Sequence, residues 1–501
     1  MTVPAEWPRR AASGRVASSS AAEEVQVSAP SVRAQLFRRK PVAAMVEETG
    51  AGESSDGGTL ARRIGTGQLM GLGIGATIGT GIFFVMSTAV PEAGPAVIVS
   101  FVLAAVTAGF TALCYAELAS TIPVAGSSYS YAYATLGEVV AYAVGWCLVL
   151  EYAVSSAAVS VGWSEYLNEL LDDTVGVRIP DALSFAPGAG GLVNLPAVVL
   201  VTLCALLLVR GASESARANA VMVVVKIVVL LFFVAVAFTA FDAGNLTPFA
   251  PLGVAGVSVA ASSIFFSFIG LDAVSTAGEE VRDPRRTLPR AIVGALVVVT
   301  AVYLLVAVAA VGAQPAGEFE GQEAGLAVIL EDVTGSRWPA VVLAAGAVIS
   351  IFSVTLVTMY GQTRILFAMS RDGMIPSLFS RVDPRTLTPV RGTVAVAAFV
   401  GLLAGFVPLD FLIDLTSMGT LVAFTVVSVG VVILRRRSPD LPRGFRVPGY
   451  PVVPVLSVAF CLYLIAGLGL TTYLLFAVWL TIAAVVYVTY ARTHSALRDP
   501  R

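Results

Sequence analysis

Three kinds of residue in this chain stand where their chemistry would be costly to leave unused. The stretch "LMGLGIGATIGTGIFF" (Leu69–Phe84) carries glycines at 71, 73, 75, 79 and 81 in an otherwise apolar run. Each glycine weakens a helix by roughly 1 kcal/mol relative to alanine, so a plain membrane anchor would not be written this way. Lys226 sits in "AVMVVVKIVVLLFF" with valines on both sides. A charged lysine at the centre of a membrane helix costs at least ~2.5 kcal/mol, which makes it a candidate for loading and releasing a proton. The alternative is a lysine that snorkels to a membrane face. The third kind is acidic: Glu151 in "CLVLEYAVSS", and Asp272 just after Gly270 in "SFIGLDAVST". Glu151 reads either as a packing acid or as a pocket wall that touches substrate or senses protonation. Asp272 suits an inner gate or a helix terminus equally well.

Several chemistries are excluded by the same inventory. The only histidine is His494, in the polar C-terminal segment, which removes a histidine-based zinc site or a Ser-His-Asp hydrolase. The two lysines, Lys40 and Lys226, follow no glycine-rich phosphate loop. The four cysteines lie in apolar runs and show no metal or disulfide spacing. We therefore expect no enzyme, no metal, no cofactor and no nucleotide. A solute carrier built this way must draw on a gradient, and a proton gradient is the one Lys226 suggests.

The elements that position these residues are apolar helices. The chain has 501 residues, 57% of them hydrophobic and 13% charged, against about 25% charged in soluble domains. Runs long enough to cross a bilayer fall at 68–90, 95–117, 138–165, 195–211, 217–240, 254–277, 290–313, 339–365, 391–407, 409–434, 452–470 and 472–490. With the N-terminus inside, 28 of the 31 lysines and arginines fall on cytoplasmic segments, and only Arg178 and Arg337 fall outside. That bias predicts an all-α membrane protein of twelve transmembrane helices with both termini cytoplasmic. Residues 1–60 lack the apolar core of a signal peptide and read as a loosely ordered or surface-lying cytoplasmic tail. Residues 61–450 then form the core (helices 1–10), 451–490 helices 11 and 12, and 491–501 a second tail. A net charge of −2 argues against a nucleic-acid partner; the expected surroundings are the lipid bilayer of the plasma membrane.

Three readings compete for the glycines. Gly71-Leu-Gly73-Ile-Gly75-Ala76 matches a dinucleotide fingerprint, but that motif needs a preceding strand in a soluble βαβ unit. Gly71, Gly75 and Gly79 also form a small-xxx-small packing face. The third reading is a helix broken at mid-membrane. Glycines around Thr80 free N–H groups that, with the positive end of the following half-helix, receive an anion such as a carboxylate. Non-helical backbone at that depth must line a cavity, and inverted-repeat carriers place a second broken helix at the matching position of the other half. Five spans later comes "ASSIFFSFIGLDAVSTAGEE", where a break near Phe268–Gly270 frees carbonyls suited to an ammonium group. Facing N–H donors and carbonyls fit a zwitterion.

The strings "GIGATIGTGIF", "CYAELASTIPVAGSSYSYAYATLGE", "GWCLVLEY", "FFSFIGLDAVSTAGEEVRDPRRTLPRAI", "GQTRILFAMSRDGMIP" and "PLDFLIDLTSMGTL" resemble the amino acid–polyamine–organocation superfamily, closest to its cationic amino acid transporter branch. The resemblance runs from Leu36 to Tyr490. It implies a five-plus-five inverted repeat with two added helices, discontinuous helices 1 and 6, and amino acid transport by alternating access, as symport or exchange. It also implies that Ile78, Gly79, Thr80 and Gly81 meet the substrate carboxylate and that Phe268, Ile269 and Gly270 meet the amine. Glu151 would lie near the pocket and favour a cationic side chain, whereas Ile351 would bound the side chain and favour neutral substrates, so the resemblance leaves both classes open. Lys226 would occupy the place of a sodium ion, bridging span-one carbonyls and span-eight hydroxyls such as Ser353. No outer-loop cysteine suggests attachment of a second subunit, so no obligatory partner chain is expected.

Overall fold

The computed structural model describes residues 36–50, 62–320, 322, 325–466 and 470–498; most of the predicted N-terminal tail lies outside these. Among the described residues the structure is helical, with no strand and one isolated bridge between Ile64 and Val281. In chain order the main helices are α1 (Val42–Gly50), α2 (Thr66–Thr77), α3 (Thr80–Ala93), α4 (Val97–Thr121), α5 (Ser127–Thr135) and α6 (Glu138–Val175). There follow α7 (Leu195–Arg210), α8 (Ala212–Ala237), α9 (Gly253–Phe265), α10 (Ala273–Thr276), α11 (Pro284–Ala313) and α12 (Gly325–Thr334). The last five are α13 (Trp338–Arg371), α14 (Val390–Phe406), α15 (Leu409–Arg437), α16 (Val452–Ala466) and α17 (Leu470–Val486).

Helix falls in each of the predicted apolar runs. Among the described residues, eight stretches are long and apolar enough to cross a membrane, and α7, α14 and α16 are shorter apolar helices. Local signals set the ends. Asn194 caps α7 by accepting from the Ala197 N–H at 3.1 Å. The long α6 starts after Gly137 and ends on left-handed Gly176, whose N–H bonds the Asp172 carbonyl.

Packing centres on three long helices. α6 lies along α13 and α15, while α11 lies along α4 and α2. One apolar core runs through all of them. Valine and leucine side chains on α8, α9, α16 and α17 are exposed in numbers that water would not tolerate, including Val224, Val228, Val259, Leu462 and Val478. Such a belt is expected where lipid replaces water as solvent.

Two runs are interrupted. α2 stops at Thr77 and α3 restarts at Thr80, with Ile78 extended (φ −76°, ψ 97°) and Gly79 far from helical (φ −148°, ψ −144°). The sixth run passes from α9 through a tight turn at 266–268, then Ile269 (φ −64°, ψ 145°) and left-handed Gly270 (φ +98°), before α10 begins. A Cβ at Gly270 would stand 2.8 Å from the Ala76 carbonyl oxygen. Only glycine accepts both that angle and that approach.

Candidate functional site

The two interruptions face each other. A Cβ on Gly81 would fall 2.8 Å from the Ser267 Cα, and one on Gly79 would collide with Val354 of α13. Between them lies a cavity of about 30 Å³ lined by Gly79, Gly81, Ser155, Ile269, Val354 and Thr358, with neighbouring parts of α2, α6 and the sixth run. That volume holds one or two waters, so a larger occupant requires the surrounding helices to part. The first-turn N–H groups of α3 have no partner within their own helix; in the facing link the Gly270 carbonyl accepts from the Ala273 N–H at 3.0 Å, and Ile269 lies between the turn at 266–268 and α10.

Lys226 fixes the first interruption. Its fully buried amine donates to the Gly75 carbonyl at 3.1 Å, to the Ile78 carbonyl at 2.5 Å and to the Ser350 carbonyl at 3.3 Å. All three ammonium donors are thereby used. The bond to α13 goes to the Ser350 backbone and not to the expected hydroxyl. Ser353 instead donates to Asn219 Oδ1 at 2.6 Å and lies 3.4 Å from the Gly75 oxygen. Asn219 in turn donates to the Gly71 carbonyl at 3.0 Å. Snorkelling is excluded, because the amine turns inward.

Tyr303 joins the two interruptions. Its hydroxyl on α11 lies 2.9 Å from the Thr77 carbonyl and 3.0 Å from the Ser267 carbonyl, one proton shared between the last turn of α2 and the end of the outer half of the sixth run. Its ring packs edge-on to Phe268 at 5.3 Å. Sequence reasoning missed this residue, since a lone tyrosine in an apolar helix gives no sign of its long-range partners.

Several expected site residues sit elsewhere. Among the described residues that line the cavity, Ile351 is absent; it is buried one turn away, and Val354 and Thr358 occupy the wall. Glu151 also stands off the cavity, packed against Gly419 and Thr420 of α15, with Oε2 unpartnered. Phe268 lines a separate small void beside Asp272. Gly79, Gly81, Ile269 and Gly270 line the cavity itself, Ile78 contributes its carbonyl to Lys226, and the Thr80 side chain lies outside the described residues.

The charges that follow the second and sixth runs divide into buried pairs and exposed groups. Arg364 donates to Glu280 at 2.6 Å in a buried pair that also receives the Tyr360 hydroxyl at 2.8 Å. Arg371 grips both oxygens of Glu279, at 2.8 and 3.0 Å. Arg435 does the same to Glu117. Arg282 and Asp283 are exposed. Two further buried pairs tie the first described segment to the same face: Arg38 to Glu138 and Lys40 to Asp372, the latter at 2.6 Å.

Two helices interrupted at a shared internal cavity, within an all-helical apolar protein, define a membrane carrier. Residues 64–492 match the amino acid permease family, and the chain belongs to that family. It is 45% identical to the branched-chain amino acid permease BcaP of Bacillus subtilis over 93% of this chain and 100% of the relative. It is 42% identical to the methylthioribose transporter of the same organism, over 92% and 99%. Cationic amino acid transporter 2, vacuolar, of Arabidopsis thaliana is 37% identical over 81% of this chain and 64% of that protein. These relatives are transporters, and the chain is an amino acid permease rather than an enzyme.

Proposed function

We propose that this permease is a proton-linked secondary transporter of neutral amino acids, with branched-chain substrates first among them. The observation that carries the proposal is the pair of interrupted helices meeting at one cavity. The α-carboxylate would accept from the first-turn N–H groups of α3, around Gly79–Gly81, and the α-ammonium would donate to carbonyls of Phe268–Gly270. Val159, Ile269 and Val354 give the wall an apolar character that suits an aliphatic side chain, and the similarity to a branched-chain permease agrees with this. Lys226, tied to three carbonyls, acts as the proton-exchanging group at the hinge of the first break, with Ser353 and Asn219 as its supports. Alternating access would move the half-helices about these breaks within a five-plus-five repeat of ten helices, with α16 and α17 added. Twelve crossings with both termini cytoplasmic agree with the arginine distribution, and the location proposed is the plasma membrane. The cycle needs no cofactor, metal or partner subunit.

A second reading, transport of cationic amino acids, rests on the unpartnered oxygen of Glu151. Uptake of a labelled panel into proteoliposomes, with and without an imposed pH gradient, separates the two. Leucine, isoleucine and valine should enter fastest and accumulate only with the gradient. Faster arginine or lysine uptake would favour the second reading, and competition by methylthioribose alone would remove both.

A further inference from the structure

Beyond the substrate cavity, toward α10, lies a second polar cluster that the proposed cycle does not use. Asp272 precedes α10 and is buried; the Tyr152 hydroxyl donates to its Oδ2 at 2.5 Å, while Oδ1 has no partner. The Tyr115 hydroxyl on α4 is buried and faces Ser128 Oγ without a hydrogen bond of full geometry. Asp272 and Tyr115 share a void of about 10 Å³ whose other walls include Thr111, Leu271 and Phe424. That is about the space of one water. On α5, the Tyr131 hydroxyl faces Ser275 and Ser128 Oγ faces Tyr115, both buried and short of full hydrogen-bond geometry, and the Tyr131 ring stands edge-on to Tyr115 at 6.2 Å. Native interiors leave few polar groups in this condition, and ordered water is their usual partner.

We propose that Asp272 is a second proton-binding site, holding one water between its free oxygen and the Tyr115 hydroxyl and reached through the hydroxyls of α5. A hydronium at the water position gives its proton to Oδ1. What remains is a neutral water on Tyr115 and a neutral carboxyl whose Oδ2 still accepts from Tyr152. Asp272 lies two residues after Gly270, so its charge sits beside the carbonyls assigned to the substrate amine. On the binding mode proposed above, proton occupancy of Asp272 therefore changes how firmly the amine is held.

The titratable groups around Asp272 are Tyr115 on α4, Tyr131 on α5, and Glu151 and Tyr152 on α6. α2 brings none, α11 brings Tyr303, which is engaged by two carbonyls, and α13 brings Tyr360 and Arg364, both held by Glu280.

The test is leucine exchange between proteoliposome lumen and bath at equal pH on both faces, stepped across a wide pH range. The wild type should show a titration step in rate that belongs to Asp272, besides any step that Lys226 contributes. Asp272→Asn, whose amide mimics the protonated carboxyl, should lose that step and keep the wild-type low-pH rate across it. Tyr115→Phe should keep the step but move its midpoint. An Asp272→Asn protein that retains the wild-type midpoint, at whatever rate, overturns the proposal. Where that variant does not reach the bilayer, an unmoved midpoint in Tyr115→Phe overturns it instead. No gradient is applied, so failure of Lys226 to couple uptake leaves this readout intact.

Discussion

The two interruptions solve the same problem by opposite means. At the first, a cation from a neighbouring helix satisfies the carbonyls that the break sets free, and its three donors are all consumed. At the sixth, a shared tyrosine proton bonds one carbonyl, and the carboxylate that follows keeps an oxygen without a partner. The first is a satisfied joint and the second an unsatisfied one. Buried polar groups that are fully paired hold one geometry, whereas partly paired ones are ready to accept something else. The contrast leaves the carbonyls of the first break committed to Lys226 and leaves the sixth break with an oxygen open to a further partner.

Removing the cation should have the largest effect. Lys226→Met removes the ammonium donor from the two carbonyls of the first break, Gly75 and Ile78, at about 1–3 kcal/mol each, and we expect gradient-driven leucine uptake to fall at least roughly tenfold, since 1.4 kcal/mol already corresponds to that factor. Full retention of the pH-gradient dependence in this variant would end the coupling role. Next comes Gly270→Ala. An L-residue in the left-handed region costs roughly 1–2 kcal/mol, and here the added methyl also meets the Ala76 carbonyl, so substrate affinity measured by thermal-shift titration should weaken about tenfold or more. Tyr303→Phe removes the one proton that both breaks share. A loss of about 1–3 kcal/mol is expected, read as a lower unfolding midpoint in detergent together with slower exchange. The mildest change is Val354→Ala. It widens the wall beside Gly79 and should shift preference toward bulkier side chains by about 10–200-fold per methylene at most, seen as phenylalanine gaining on valine in competition assays.

Much of this contrast was legible in the sequence because it is written in residue types that membranes penalise. Glycines at 79, 81 and 270 and a lysine among valines are expensive unless used, and each proved to sit at a break or to fill one. The parts that escaped reading depend on helical phase and distance. Ile351 and Val354 are three residues apart, so a small error in which face α13 presents moves the pocket wall from one to the other. The Ser353 hydroxyl was expected to meet Lys226, but the amine's direction is set by its rotamer, and it found the carbonyl of Ser350 instead. Tyr303 and Asn219 reach carbonyls more than a hundred positions away in some cases, and nothing local announces that. Local sequence does not tell a solvated acid at the end of a span from one in an ion pair, because the arginines that pair with Glu117, Glu279 and Glu280 come from helices late in the chain.

Glu138 collects more donors than any isolated pair needs. Arg38 holds it through two nitrogens, and the hydroxyls of Tyr133, Tyr487 and Ser495 complete its shell. One acid thus stitches an early segment and a late one to the start of α6. Fusing a bulky reporter close to either segment, or trimming into one of them, should loosen a common knot: the other segment would fray as well, and limited proteolysis would cut both together.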